Sequence, residues 1–78
     1  MKHVDASLKN VNVNELERTL DKCLIWFYAF PRTKIGLTDI SKYVRSSKTA
    51  TKQVIEFLVG IQFLNRDVIG KAWLLSAN

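Results

Sequence analysis

One cysteine, one histidine, one proline and three glycines are all that this 78-residue chain holds of those types. The lone Cys23 has no partner for an internal disulfide, so the fold must stand without a staple, and a single thiol points to a reducing compartment. His3 has no cysteine or second histidine near it, which argues against a metal site. The glycines form no phosphate-cradling loop. The seven acidic residues mostly sit beside a base as helix surface pairs and offer no paired carboxylates on one face for acid–base work. No apolar run approaches the roughly 18 to 20 residues of a membrane span. The first ten residues, MKHVDASLKN, carry no apolar signal-peptide core. The expectation is therefore a protein that is not an enzyme and uses no cofactor or metal, without a membrane partner and located in the cytoplasm.

What is present is a folded domain's worth of apolar residues. The hydrophobic share of 47% and the charged share of 24% argue against disorder. A chain this short buries only about 60% of its unfolded surface, so it makes one domain with a small core. The net charge of +5 is unevenly placed. Between Pro31 and Gln53 lie Arg32, Lys34, Lys42, Arg45, Lys48 and Lys52, opposed only by Asp39. The rest of the chain balances to zero. Concentrated basic charge of this kind favours polyanions, because binding releases their counterions.

Residues 1–13 read as a partly ordered N-terminal arm, and 14–78 as the single domain. In the arm, Val4, Leu8 and Val11 have helix-like spacing, while the asparagines around them suit an irregular approach. A first helix is expected over 14–30, capped at Asn12 or Asn14 with Glu15 or Glu17 three residues on. Its core stripe is Leu16, Leu20, Cys23, Leu24 and Phe27. Cys23 on that stripe reads as packing and not as a nucleophile. From Leu24 to Phe30 the sequence LIWFYAF is apolar on every side of a helix. Such a segment is buried all round, and in a chain this small the cover is a second copy or, as the alternative, the N-terminal arm or the C-terminal strand of the same copy. A homodimer through Ile25, Trp26, Ala29 and Phe30 is expected. Pro31 ends the helix.

A brief strand at Ile35 follows, then a second helix over 38–45 with Thr38 as N-cap and Ile40, Tyr43 and Val44 as its apolar face. Ser46-Ser47 forms a tight turn, and Ser47 caps a third helix over 48–63. In that helix Ala50, Val54, Ile55, Phe57, Leu58 and Ile61 fall on one side. Lys48, Thr49, Lys52, Gln53 and Glu56 fall on the other, a basic and amide-bearing face suited to phosphates and base edges. After Phe63 the period changes. A hairpin is expected over 64–76, turning at Ile69-Gly70-Lys71, with Leu64 and either Trp73 or Leu75 closing the core. The class is mainly α with a small β-hairpin (α+β).

The stretch LTDISKYVRSSKTATKQVIEFLVGIQFLNR resembles the helix-turn-helix segment of the winged-helix superfamily, in particular small prokaryotic, archaeal or viral transcription regulators. With the preceding helix the resemblance covers about 14–76. In its terms Leu37-Thr38 opens the second helix and Ser47-Lys48-Thr49-Ala50 opens the recognition helix. Phe63-Leu64-Asn65-Arg66 leads into the wing. The chain departs from the family at three points. Arg45 and Ser46 stand in a turn that often holds a glycine and an apolar residue. Gln62 stands where a glycine usually precedes the wing, and Thr51 where the recognition helix usually has an apolar residue.

The resemblance implies double-stranded DNA as partner, bound by a homodimer with the third helix in the major groove. Lys48, Thr49, Lys52 and Gln53 would face that groove. Thr49 and Gln53 would read bases, and Lys48 and Lys52 would meet phosphate or guanine. Arg32, Lys34, Lys42 and Arg45 would grip phosphates, and Arg66 or Lys71 would reach a minor groove from the wing. Ser47 and Thr38 would add backbone amides at helix starts. Transcriptional regulation is the simplest role, in the nucleoid or, for a viral protein, the host cell. The alternatives are a winged helix used only for protein association and a plasmid or viral partition or replication protein. An RNA-binding role lacks an aromatic stacking platform outside the expected core.

Overall fold

A computed structural model describes residues 13–78. The expected arm, His3 and the Asn12 cap lie outside the described residues, apart from Val13. Helix α1 spans Val13–Ala29. It is under way at Val13, so Asn14 stands in its first turn and is not its cap. Cys23 and Phe27 are buried, and Leu16, Leu20 and Leu24 pack against them. Thr19, a polar residue one turn before Cys23, is also fully buried. Its hydroxyl is hydrogen-bonded to that of Ser46, which removes the cost of burying it alone. The Phe30 N–H still reaches the Trp26 carbonyl at 2.9 Å, and Pro31 then turns the chain.

Strand β1, Ile35–Gly36, runs directly into helix α2, Leu37–Tyr43. Gly36 is the N-cap and no side chain caps this helix. Thr38, expected in that role, lies one residue inside the first turn, where its carbonyl accepts the Ser41 hydroxyl at 2.6 Å. Ile40 and Val44 are buried as expected, but Tyr43 is 67% exposed. Val44 is the C-cap, and Arg45 follows with φ 55. The Arg45 N–H bonds to the Lys42 carbonyl and the Ser46 N–H to the Ser41 carbonyl. This bond pair with a left-handed residue between is a Schellman motif. The tight turn is therefore made at Arg45-Ser46, one residue earlier than expected.

Helix α3 spans Lys48–Gly60. Ser47 is its N-cap as expected, with its hydroxyl accepting the Ala50 N–H at 3.1 Å. Ala50, Val54, Ile55 and Leu58 are buried, and so is Thr51, whose hydroxyl donates to the Ser47 carbonyl at 2.8 Å. A threonine thus fills the usual apolar position without leaving a polar group unpaired. Truncating Leu58 to Ala would cost about 2–5 kcal/mol. The helix ends at Gly60 and not at Phe63, because Gln62 turns left-handed with φ 66. Its N–H bonds to the Val59 carbonyl and that of Phe63 to the Leu58 carbonyl, a second Schellman motif. Phe57 and Ile61, expected in the core, are 56% and 57% exposed. Phe57 borders an open groove with Leu16 and Leu20 of α1 and is left uncovered there.

Strands β2, Leu64–Ile69, and β3, Ala72–Ala77, complete a three-stranded antiparallel sheet in the order β1-β3-β2. Ile69 pairs with Ala72, so the turn is Gly70-Lys71 alone. Gly70 has φ 63, and a positive φ at only the first central position is the mark of a type II′ hairpin turn. The register sets Leu64, Arg66, Val68, Trp73 and Leu75 on one face, since alternate residues share a side. Leu64 and Leu75 close the core, whereas Trp73 is only half-buried. Asn78 fastens the end of the chain: its N–H and its amide group donate to the carbonyls of Phe63 and Gln62. The fold is α+β, with three helices and this small sheet among the described residues.

Candidate nucleic-acid interface

The turn of α3 decides which side chains face out. With Ala50, Thr51, Val54, Ile55 and Leu58 inward, Lys48, Thr49, Lys52 and Glu56 are exposed. Gln53 is different. It is half-buried on the α1 flank, in a small apolar groove of about 220 Å³ with Leu16, Leu20 and Phe57. The helix start is also partly engaged. The Ser47 N–H donates to a Glu15 carboxylate oxygen at 3.0 Å, and the Ser47 hydroxyl is held by Ala50. The Ser47 amide expected to meet phosphate is therefore already taken by an anion from α1.

On the other flank α3 faces the hairpin across a groove of about 550 Å³. Lys48, Thr49 and Lys52 line it from α3, Lys71 and Trp73 from the hairpin, and Thr38 and Asp39 from α2. Lys52 and Arg66 both stand over the Trp73 ring, with Lys52 Nζ 5.4 Å and the Arg66 guanidinium carbon 4.6 Å from its centre. Arg66 is opposite Leu75, so it sits midway along the hairpin and not at its tip. Lys71 alone of the expected wing cations lies in the turn. The groove thus gathers cations from two stretches of chain, α3 and the hairpin turn, against one carboxylate, with Arg66 beside its Trp73 wall.

The remaining cations fall elsewhere. Lys34 and Lys42 line a second groove of about 720 Å³ on the far side of β1 and α2, with Trp26 and Tyr43. Gly36 and Asp39 border both grooves. Arg45 joins Lys22 in a third depression of about 370 Å³ beside Trp26 and Phe30. Arg32 is exposed in the loop after Pro31. The basic residues that cluster in sequence are therefore divided by the fold among separate surfaces.

The apolar end of α1 is uncovered. Ile25 is 68% exposed, Phe30 50% and Tyr28 86%, and Ala29 is exposed beside them. Trp26 is half-buried. Its ring meets Phe27 edge-on at 5.0 Å and also contacts Phe30 and Tyr43. So LIWFYAF is not buried all round within one copy, and aromatic rings do lie outside the core. Cys23 is buried, and burial pushes its thiol up to about 12, which keeps it neutral and unreactive. Among the described residues no group of three or more His, Cys, Asp or Glu could hold a metal ion, and no helix is long and apolar enough to cross a membrane.

Two contributors escaped the sequence reading. Trp73 is one of the two candidates for closing the core and does pack against it, but its contact with Lys52 and Arg66 joins residues on three elements and leaves no local signal. The sequence offers Glu15 as a capping partner at the start of α1, and no local pattern links it to Ser47. Comparison with protein-family models, with curated proteins and with solved structures returned no match.

Proposed function

We propose that this chain is a winged helix-turn-helix protein that binds double-stranded DNA as a homodimer, most simply to regulate transcription. The observation that carries the reading is the cationic groove between α3 and the hairpin. Lys48, Lys52 and Lys71 line it, Arg66 stands at Trp73 on its wall, and Asp39 is the single opposing acid. The element order α1-β1-α2-α3-β2-β3 and the sheet order β1-β3-β2 support the same reading. In it α3 enters the major groove and the hairpin tracks the neighbouring backbone. Thr49 at the centre of the exposed face reads bases, together with Lys48. Lys52, drawn toward the hairpin, contacts phosphate. Gln53 reaches bases only from the edge of the face. Glu56 bounds the contact.

The exposed patch of Ile25, Ala29 and Phe30 supports pairing of two copies, which sets two α3 helices on half-sites about 34 Å apart. Selection of binding sites from a random duplex pool tests the reading. Wild type should enrich a sequence. Thr49→Ala should relax one position of it, and Lys52→Ala should weaken all sites alike. Failure to enrich any sequence, with no DNA retained at low salt, would contradict DNA recognition. The exposed aromatic patch around Trp26 and Tyr43 favours one second reading, a protein-association module, which that failure would support.

A further inference from the structure

We propose that Trp73 is a positioning residue for polyanion binding, holding Lys52 of α3 and Arg66 of β2 as one cationic unit on the groove wall. The inference rests on the DNA-binding reading and assigns a role to a residue that reading leaves unused. Lys52 and Arg66 belong to different elements, and Trp73 lies on a third. Both cations stand over its ring, at 5.4 and 4.6 Å. Long cationic side chains on a surface otherwise sample many rotamers, and ordering them on binding costs entropy.

The usual surface device for fixing a cation is a carboxylate, but it neutralises the charge it fixes. An indole face attracts the cation through its quadrupole and leaves the charge available to a second anion. Among the described residues no ion pair to Lys52 or Arg66 is present. Lys52 has Glu56 one turn on, yet it turns to the ring. Trp73 is half-buried: it packs against the core that holds Leu64 and Leu75 and is not sealed within it. The arrangement links the hairpin to α3, so that both approach one phosphate strand in fixed register.

The test compares wild type, Trp73→Phe, Trp73→Leu, the double variant Lys52→Gln/Arg66→Gln, and that double variant combined with Trp73→Leu. Binding to a random-sequence DNA duplex and to heparin is measured across a salt series, with thermal unfolding of each variant alongside. Trp73→Phe should bind within about twofold of wild type, since phenylalanine keeps a cation-attracting face. Trp73→Leu should bind roughly tenfold more weakly and lower the slope of log affinity against log salt by about 1 to 2, the loss of one or two phosphate contacts. In the double-variant background Trp73→Leu should have no further effect. An additional loss there, or an unchanged salt slope in a folded Trp73→Leu protein, would overturn the inference. The expected variant pattern on heparin, with no binding of duplex by wild type, would support Trp73's role while removing the DNA reading. Binding of neither polymer would overturn both.

Discussion

The carboxylate of Glu15, in the first turn of α1, accepts the backbone N–H of Ser47, the N-cap of α3, at 3.0 Å. The contact joins residues 32 positions apart and fixes where α1 begins against where α3 begins. It also places an anion at the positive end of the helix proposed to meet DNA. Glu15→Ala should therefore have opposite effects on two measurements. Stability should fall by about 0.5–1.5 kcal/mol, the net worth of one hydrogen bond, read as a lower denaturant midpoint. Affinity for duplex DNA at low salt should rise, because a competing negative charge is gone. Weaker DNA binding by a folded Glu15→Ala protein would show that the carboxylate aids the contact.

Arg45 and Gln62 both hold left-handed φ values, 55 and 66, where each ends a helix. Side chains with a Cβ are strained there and glycine is not. Gln62→Gly and Arg45→Gly should each stabilise the protein by about 0.5–1 kcal/mol, measured by chemical unfolding. The pair separates strain from function. Gln62→Gly should leave DNA binding unchanged. Arg45→Gly should weaken it only if the depression beside Trp26 and Phe30 also meets phosphate.

Helical periodicity and punctuation account for most of what the sequence predicted correctly. Pro31 ends α1, Ser47 caps α3 and Gly70 makes the hairpin turn, each for a reason local to the residue. Periodicity also placed Ile40, Ile55 and Leu58 in the core. It failed for Tyr43, Phe57 and Ile61, because the width of an apolar stripe says nothing about how much of it a neighbour covers. It was silent on Thr19 and Ser41, which are buried with their hydroxyls paired, because hydropathy does not mark a polar residue as inward; Thr51, also buried, stands where the resemblance expects an apolar residue. The left-handed turns at Arg45 and Gln62 carry no glycine to announce them. In the site, Lys48, Thr49, Lys52 and Glu56 on the exposed face of α3 were legible from spacing, whereas Gln53, expected beside them, is half-buried against α1. The separation of Lys34, Lys42 and Arg45 from Lys48, Lys52 and Lys71 was not legible, since it depends on β1 and α2 standing between them.

Burial raises the Cys23 thiol from 9.0 to about 12. The unfolded chain therefore loses a proton near pH 9 that the folded chain keeps, and folding is disfavoured as pH rises from there toward 12. The stability Cys23 contributes is complete below pH 9 and declines above it by at most about 1.4 kcal/mol per pH unit. Unfolding free energies at pH 8 and pH 10.5, for wild type and Cys23→Ala, test this. Wild type should lose more stability than the variant across the interval. Equal losses would mean that the native thiol ionises freely, and rapid alkylation of the folded protein at pH 8 would say the same.

Ile25 and Phe30 stand largely in solvent, whereas Trp26 braces Phe27, Phe30 and Tyr43. A charge at Ile25 therefore tests pairing of two copies with less risk to the fold than one at Trp26. Ile25→Glu should sediment as a monomer at concentrations where wild type sediments as a dimer, with an unchanged helical circular dichroism signal. Monomeric wild type under the same conditions would end the dimer proposal and leave the patch to another partner.

The central claim is that the groove between α3 and the hairpin meets a phosphate backbone. Its most direct test is a titration of the wild-type protein with random-sequence duplex DNA from about 50 to 200 mM salt. Contacts from Lys48, Lys52, Arg66 and Lys71 predict a slope of log affinity against log salt of about −3 to −4 per protomer. A folded protein with no measurable affinity at low salt, or with a slope near zero, would contradict the account.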